Sequence, residues 1–509
     1  MSPVIEVRTS VGPVRGIPTA DPRVAAFLGI PYGAPTGGTM RWRAPRPPEP
    51  WRGVRDCDRF GPACPQRGAD PARESGEDCL RVNVWTAARS ADEALPVLVW
   101  IYGGRFVRGQ VSEPELDGRG MAARGVVVVT LTYRTGVLGF LSTAELDRED
   151  PEIASGNYGL LDQLAALEWV AREIRGFGGD PDRITVAGQS AGAASLLHLL
   201  GSPRARPRIA GAIVASAAAH PSDPKLEYLA GSTRRSAEAR AQGWEYLAAC
   251  GAASIGEARS LAAARLIRDN DADAPGAGRR PPLFRPVADG RLVAGSHMEA
   301  LASPGHAGVP VLVGSTWDED GASPGGDVSA AAHVAHVRAL YGEAAEEILA
   351  LYPARDDSSA REARNALARD HARVSTALWA EEWTRASGAP VWSYAWTHVP
   401  PGPRGARDGA FHGSEIPYLW DSLAACDAPW TESDRRAAGA FAGSVAAFAD
   451  GGDPWHAGLP HWAPMGVAGG VPMEMTDRPA PMAPLPREQE AALRRILTAA
   501  PAREESVHA

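Results

Sequence analysis

The chain has 509 residues, 44% of them hydrophobic and 22% charged, with a formal charge of −9 and a pI near 5.8. Such values belong to a globular protein able to bury a large core. The acidic balance offers no broad cationic field for phosphates, which argues against nucleic acid as a partner. No 18 apolar residues run together, which excludes a membrane span.

In chain order, residues 1–16 contain neither an apolar leader nor a small-residue cleavage site, so no secretion signal is expected and a cytoplasmic location is. They pass into an alternating, strand-like pattern, Val4-Ile5-Glu6-Val7-Arg8. Short apolar runs bounded by turn residues predict buried strands over 97–102, 126–133, 184–188, 212–215, 309–313 and 391–396. Helices are predicted over 160–174 and 191–200. This alternation reads as an α/β fold, a mostly parallel sheet covered on both faces.

The stretch 223–286 is different: Ala, Arg and Glu recur at helical spacing, as in 236–248 and 254–267, with no convincing strand. It reads as a helical insertion, with the Gly-, Pro- and Asp-rich segment 271–282 as a mobile loop inside it. A second helical block, 328–382, precedes the strand at 391. Inserts of this kind over the carboxyl edge of a sheet are placed to form a lid or pocket wall. No repeat of fixed period occurs, and the expectation is one domain over 1–509. The cysteines, Cys57, Cys64, Cys79, Cys250 and Cys426, form no C-x-x-C pair and are too scattered for a disulfide scaffold. No metal site is expected, and the thiols are expected to be reduced.

The strongest local signal is Gly188-Gln189-Ser190-Ala191-Gly192, between an apolar strand and an apolar helix. A serine on so sharp a turn needs small neighbours, and its hydroxyl then projects clear of the sheet as a nucleophile. The helix start behind it supplies the N–H of Ala191 to a developing oxyanion. A second segment, Trp100-Ile101-Tyr102-Gly103-Gly104-Arg105-Phe106, ends a buried strand with paired glycines that can turn N–H groups towards a substrate carbonyl. Alone it is equally a plain turn.

With these motifs in place the chain resembles the type-B carboxylesterase and cholinesterase family, nearly end to end. The resemblance rests on Phe27-Leu28-Gly29-Ile30-Pro31-Tyr32, Glu77-Asp78-Cys79-Leu80 and Asn83-Val84-Trp85 in the first part of the chain. It continues through Tyr133-Arg134, Leu138-Gly139-Phe140, Asn157-Tyr158-Gly159-Leu160-Leu161-Asp162-Gln163, Phe177-Gly178-Gly179-Asp180-Pro181 and Phe411-His412-Gly413-Ser414-Glu415-Ile416-Pro417-Tyr418. It implies an α/β-hydrolase fold, a large mostly parallel sheet with helical insertions over a gorge, and hydrolysis of small to medium acyl esters without metal or cofactor. It also implies a triad of Ser190, Glu319 and His412, with Asp318 as the alternative acid, and an oxyanion hole of Gly104, Arg105 and Ala191. Buried pairs Arg41–Glu77 and Arg134–Asp162, and a loop disulfide position at Cys64 and Cys79, are implied as well. Tyr102, Phe106, Gln189, Ser216 and Trp317 are candidates for the substrate pocket, with ordinary core packing as the equal alternative for the aromatics. The partner implied is a small-molecule ester, the protein a monomer or homodimer.

Three departures from the family pattern stand out. Gln189 replaces a usual glutamate, which disfavours cationic substrates. Arg105 replaces a small residue in the oxyanion loop: its guanidinium either points away, or selects acyl groups bearing a carboxylate, or obstructs simple hydrolysis. Small residues in Ala212-Ile213-Val214-Ala215-Ser216-Ala217 replace a usual Gln-Ser-Gly. These keep a second reading open, a biosynthetic acyltransferase, lactonase or cyclising enzyme using the same three residues. A non-catalytic binding protein on this scaffold is a third, opposed by the intact triad.

Overall fold

Val-, Leu- and Ile-rich segments give this chain a sheet with buried central strands. In the computed structural model, residues 3–68, 74–153, 155–224, 233–267, 281–293, 308–319, 321–467 and 469–499 are described. The large sheet has eleven strands. They are β1 (Ile17–Pro18), β2 (Ala25–Pro31), β3 (Arg81–Thr86), β4 (Leu95–Ile101), β5 (Val127–Leu131), β6 (Gly179–Gln189), β7 (Gly211–Ala215), β8 (Val311–Thr316), β9 (Val391–Trp396), β10 (Met473–Met475) and β11 (Ala480–Pro481). Their order across the sheet is β11-β10-β9-β8-β7-β6-β4-β5-β3-β2-β1. From β5 to β10 every neighbouring pair is parallel, and the strands at both edges are antiparallel. Every residue of β5, β7 and β9 is buried. Since successive side chains point to opposite faces, both faces of the sheet are covered.

The predicted strands and helices of the sheet region all form, within a few residues at their ends. Helix α1 (Tyr158–Glu173) and helix α2 (Ala191–Leu200) follow the predicted spans, and all of α2 is buried, as expected of an apolar helix inside a core. Downstream, the block predicted as helical over 328–382 is three helices, Ala330–Tyr341, Ala345–Leu351 and α3 (Asp357–Ser387), broken first at Gly342 with φ 52°. Among the described residues no helix is long and apolar enough to cross a membrane.

The inserted region corrects two expectations. The stretch 254–267 is not one helix: Ile255–Ser260 and Ala263–Leu266 are separate. Arg41 explains the break, because its guanidinium donates to the carbonyl of Arg259 at 3.2 Å and to that of Leu261, drawing carbonyls out of any continuing helix. A tertiary partner thus overrides helix propensity. Nor is the insertion free of strands, since Arg234–Arg235 pairs in parallel with Val287–Ala288. Arg234 anchors that ladder with hydrogen bonds to the carbonyls of Arg285 and Phe140. The segment predicted as a mobile loop over 271–282 lies outside the described residues except at 281 and 282.

Both implied ion pairs are present. Arg41 grips Glu77 through two hydrogen bonds of 2.6 and 2.7 Å. Arg134 holds Asp162 through two of 2.7 Å, and its backbone N–H adds a third at 3.0 Å. This pair is almost wholly buried, 1% and 0% exposed. It ties the segment after β5 to the N-terminal half of α1. The five cysteines are all free thiols. Asp162→Asn strands a buried guanidinium and is expected to cost about 3–5 kcal/mol in urea unfolding; a loss under about 1 kcal/mol contradicts this account of the pair.

Candidate active site

Strand β6 ends at Gln189 and helix α2 begins at Ala191, leaving Ser190 alone on the turn with φ 57° and ψ −126°. A non-glycine residue is rarely held there, at a cost on the order of 1–3 kcal/mol that the surroundings must impose. They do so by close approach. A Cβ at position 192 would lie 2.0 Å from the carbonyl oxygen of Ile101, and one at 103 would lie 2.6 Å from that of Gln189. Only glycine permits either contact. The Ser190 N–H is fixed to the carbonyl of Ala215 at 2.9 Å. Gln189 and Ala215 are register partners, so Ser216 sits alongside Ser190 at the strand ends. Ser216 also has positive φ, 56°, and its buried hydroxyl has no hydrogen-bond partner among the described residues.

Beyond β4, three successive residues have positive φ: Gly104 (105°), Arg105 (59°) and Phe106 (64°). The turn is closed by Val107 N–H on the Gly104 carbonyl at 3.1 Å, and by Gly136 N–H on that of Phe106 at 2.6 Å. The Gly104 N–H donates to no group among the described residues. That of Ala191, in the first turn of α2, has no acceptor within its helix. Arg105 is partly exposed. Tyr102 and Phe106 are buried in the core beneath this loop. The Tyr102 hydroxyl donates to the Tyr133 carbonyl at 3.1 Å, the Tyr133 hydroxyl returns a bond to the Tyr102 carbonyl at 2.9 Å, and Phe106 packs edge-on against Phe140. Both aromatics brace the loop.

After β8 the chain makes a short loop whose two described carboxylates, Asp318 and Glu319, have different partners. Glu319 accepts the Thr316 N–H at 3.0 Å with one oxygen and bonds Nδ1 of His412 with the other. Asp318 receives Arg369 of α3 at 3.0 Å and the Ala410 N–H at 2.8 Å, while its own N–H donates to the Ala410 carbonyl. Asp318 therefore staples the acid loop to the histidine loop and has no contact left for the imidazole. Asp320 lies outside the described residues. Trp317 is half-buried, with the Arg369 guanidinium 5.7 Å above its ring.

His412 is open to solvent, its side chain 43% exposed. Its Nε2 lies 3.1 Å from the side-chain amide nitrogen of Gln189. No hydrogen bond joins His412 to the Ser190 hydroxyl. The structure thus gathers Glu319, His412 and Gln189 into one chain of contacts ending beside Ser190, with the 103–106 loop against the same turn.

Residues 2–493 match the Carboxylesterase family. The chain belongs to that family. This carboxylesterase is 37% identical over 437 residues to the fumonisin B1 esterase of Sphingopyxis macrogoltabida, covering 83% of this chain and 76% of that protein. It is 34% identical over 435 residues to the para-nitrobenzyl esterase of Bacillus subtilis (strain 168), covering 82% and 83%. A solved para-nitrobenzyl esterase structure superposes with a TM-score of 0.77 at 30% identity, over 96% of this chain and 99% of the other. The fold is the α/β-hydrolase fold and the activity carboxylic ester hydrolysis.

One residue of the carboxylesterase site went unread in the sequence. Glu415 is fully buried, and neither carboxyl oxygen has a hydrogen-bond partner among the described residues. Burial, and then the negative charge of Glu319, push its pKa up to about 8 from 4.5. The motif around His412 contained it, but its solvation could not be read from a string. Folded Glu415 keeps its proton where the unfolded carboxyl loses it. Its contribution to stability is therefore complete below pH 4.5 and lost as pH rises towards 8. Glu415→Gln is expected to gain on wild type by an amount on the order of 5 kcal/mol between pH 4.5 and 8.5 in urea unfolding. A constant difference across that window would contradict the buried neutral acid.

Proposed function

We propose that Ser190 attacks the ester carbonyl, that His412 takes its proton and later returns it to the leaving alcohol, and that Glu319 fixes the imidazole tautomer and stabilises the imidazolium. The observation that carries this reading is the Glu319–His412 bond, made between residues 93 apart in sequence and continued to the residue before a strained serine. The remaining step is a hydrogen bond from Ser190 Oγ to His412 Nε2, of the kind that tightens when substrate binds.

In the same proposal the N–H groups of Gly104, Arg105 and Ala191 receive the oxyanion, each worth on the order of 3 kcal/mol in the transition state. The positive φ run over 104–106 supports it, because it breaks the strand ladder where those amides lie. Water then cleaves the acyl-enzyme with His412 as base. The proposal includes small to medium acyl esters as substrates and a cytoplasmic location, in keeping with five free thiols. Hydrolysis is preferred to acyl transfer because the relatives compared are named as esterases.

Ser190→Ala is expected to lower kcat on aryl esters by roughly 10⁴-fold or more, and to abolish labelling by a fluorophosphonate. Normal turnover by that variant would end the reading. The three readings of Arg105 divide on one assay, since a guanidinium turned to the acyl side favours acyl chains carrying a carboxylate and one turned away does not. On paired esters with and without an acyl carboxylate, Arg105→Ala should lose roughly tenfold or more in kcat/KM on the acidic member alone; equal effects on both would remove Arg105 from substrate selection.

A further inference from the structure

Gln189 is covalently next to the nucleophile, yet its side chain reaches past it to the base. The side-chain oxygen faces the 103 loop, since a Cβ at Gly103 would come within 3.1 Å of it. The amide nitrogen faces the histidine loop, 3.1 Å from His412 Nε2 and 3.8 Å from where a Cβ at Gly413 would lie. On the other edge of the ring, Nδ1 meets the Glu319 carboxylate, an acceptor only, so Nδ1 carries the proton. A neutral ring in that tautomer has only a lone pair at Nε2. The group opposite must then be a donor, and the Gln189 amide supplies one.

We propose that Gln189 is a positioning residue that holds His412 as the neutral, Nδ1-protonated imidazole and so keeps the base ready at low pH. The proposal rests on the Ser190, His412 and Glu319 roles given above. Its physical core is an asymmetry. An amide N–H can donate to the neutral ring but faces a second donor once Nε2 is protonated, so the bond exists in one protonation state only. In the reaction the Ser190 hydroxyl replaces the amide at the Nε2 lone pair; when Nε2 takes the Ser190 proton no proton moves on Gln189, whose oxygen stays on the 103 loop. A glutamate in the same place would do the reverse, accepting from the imidazolium and favouring the ring that is already protonated and cannot act as base.

Among the described residues, these charged and titratable groups face His412. Glu319 on the acid loop contacts Nδ1. Asp318 beside it is taken up by Arg369 and the Ala410 N–H. Glu415, three residues along the histidine loop, is buried as the neutral acid, with Glu115 acting on it from a distance. On the serine turn the side chain at 189 is the one facing Nε2, and it is uncharged.

The test is the pH dependence of kcat/KM on an uncharged aryl acetate for wild type, Gln189→Glu and Gln189→Met, the last matching the side chain in length without a donor. The acid limb is expected to move up by about one pH unit or more in Gln189→Glu, and by about half a unit in Gln189→Met, the scale of one lost hydrogen bond. At pH 6, fluorophosphonate inactivation of Gln189→Glu should slow by roughly tenfold relative to wild type, as the fraction of neutral base falls. Acid limbs coinciding within about 0.2 unit, or moving down, would overturn the proposal. If Gln189→Glu does not fold, the Gln189→Met profile decides alone. His412→Ala, assayed in parallel, separates the two readings: retained turnover there would fail the triad itself, whereas an inactive His412→Ala with coincident acid limbs fails only the role of Gln189.

Discussion

A backbone contact governs this molecule: the first turn of α2 crosses the end of β4 so closely that the oxygen of Ile101 occupies the space a side chain at 192 would need. From that crossing follow the left-handed backbone of Ser190 and the nearness of its turn to the 103–106 loop. The proposed nucleophile and oxyanion donors are thus set by one packing event in the middle of a parallel sheet, where neither partner can give way. Strain at Ser190 is sustained because strands on either side, β4 and β7, are themselves locked into the core.

Electrostatics complete the arrangement by giving three neighbouring carboxyl groups three fates. Glu319 has a backbone N–H and the imidazole, Asp318 has a guanidinium and a backbone N–H, and Glu415 has burial without a hydrogen-bond partner among the described residues. Burial, and then the negative charge of Glu319, push the pKa of Glu415 up. Among the described residues the imidazole has the Glu319 carboxylate on its Nδ1 side and an amide on its Nε2 side. That polarity along the ring suits a base that must accept at one end and be steadied at the other.

Much of this was legible in the chain. The buried strands are continuous apolar runs because a parallel sheet is covered on both faces, and the serine turn carries its signature in the flanking glycines. The order of Ser190, Glu319 and His412, with the flanking residues of each, pointed to a triad, of which the Glu319–His412 bond is formed. What could not be read depended on contacts between distant parts of the chain. The helix predicted over 254–267 is broken by Arg41, more than two hundred residues earlier, and the Arg234–Arg235 ladder needs the carbonyls of Phe140 and Arg285. The choice between Asp318 and Glu319 turns on Arg369, which no local pattern advertises. Tyr102 and Phe106 looked as much like pocket wall as core, and their hydroxyl and ring partners put them beneath the loop.

The Glu319–His412 and Gln189–His412 contacts join residues 93 and 223 positions apart. Loops of such length close late in folding, because their entropy must be met before the contact returns anything. Secondary structure and hydrophobic collapse can therefore be well advanced in a refolding chain whose three loops have not yet converged. Recovered turnover then reports completion of topology, and lags the spectroscopic signs of a formed sheet.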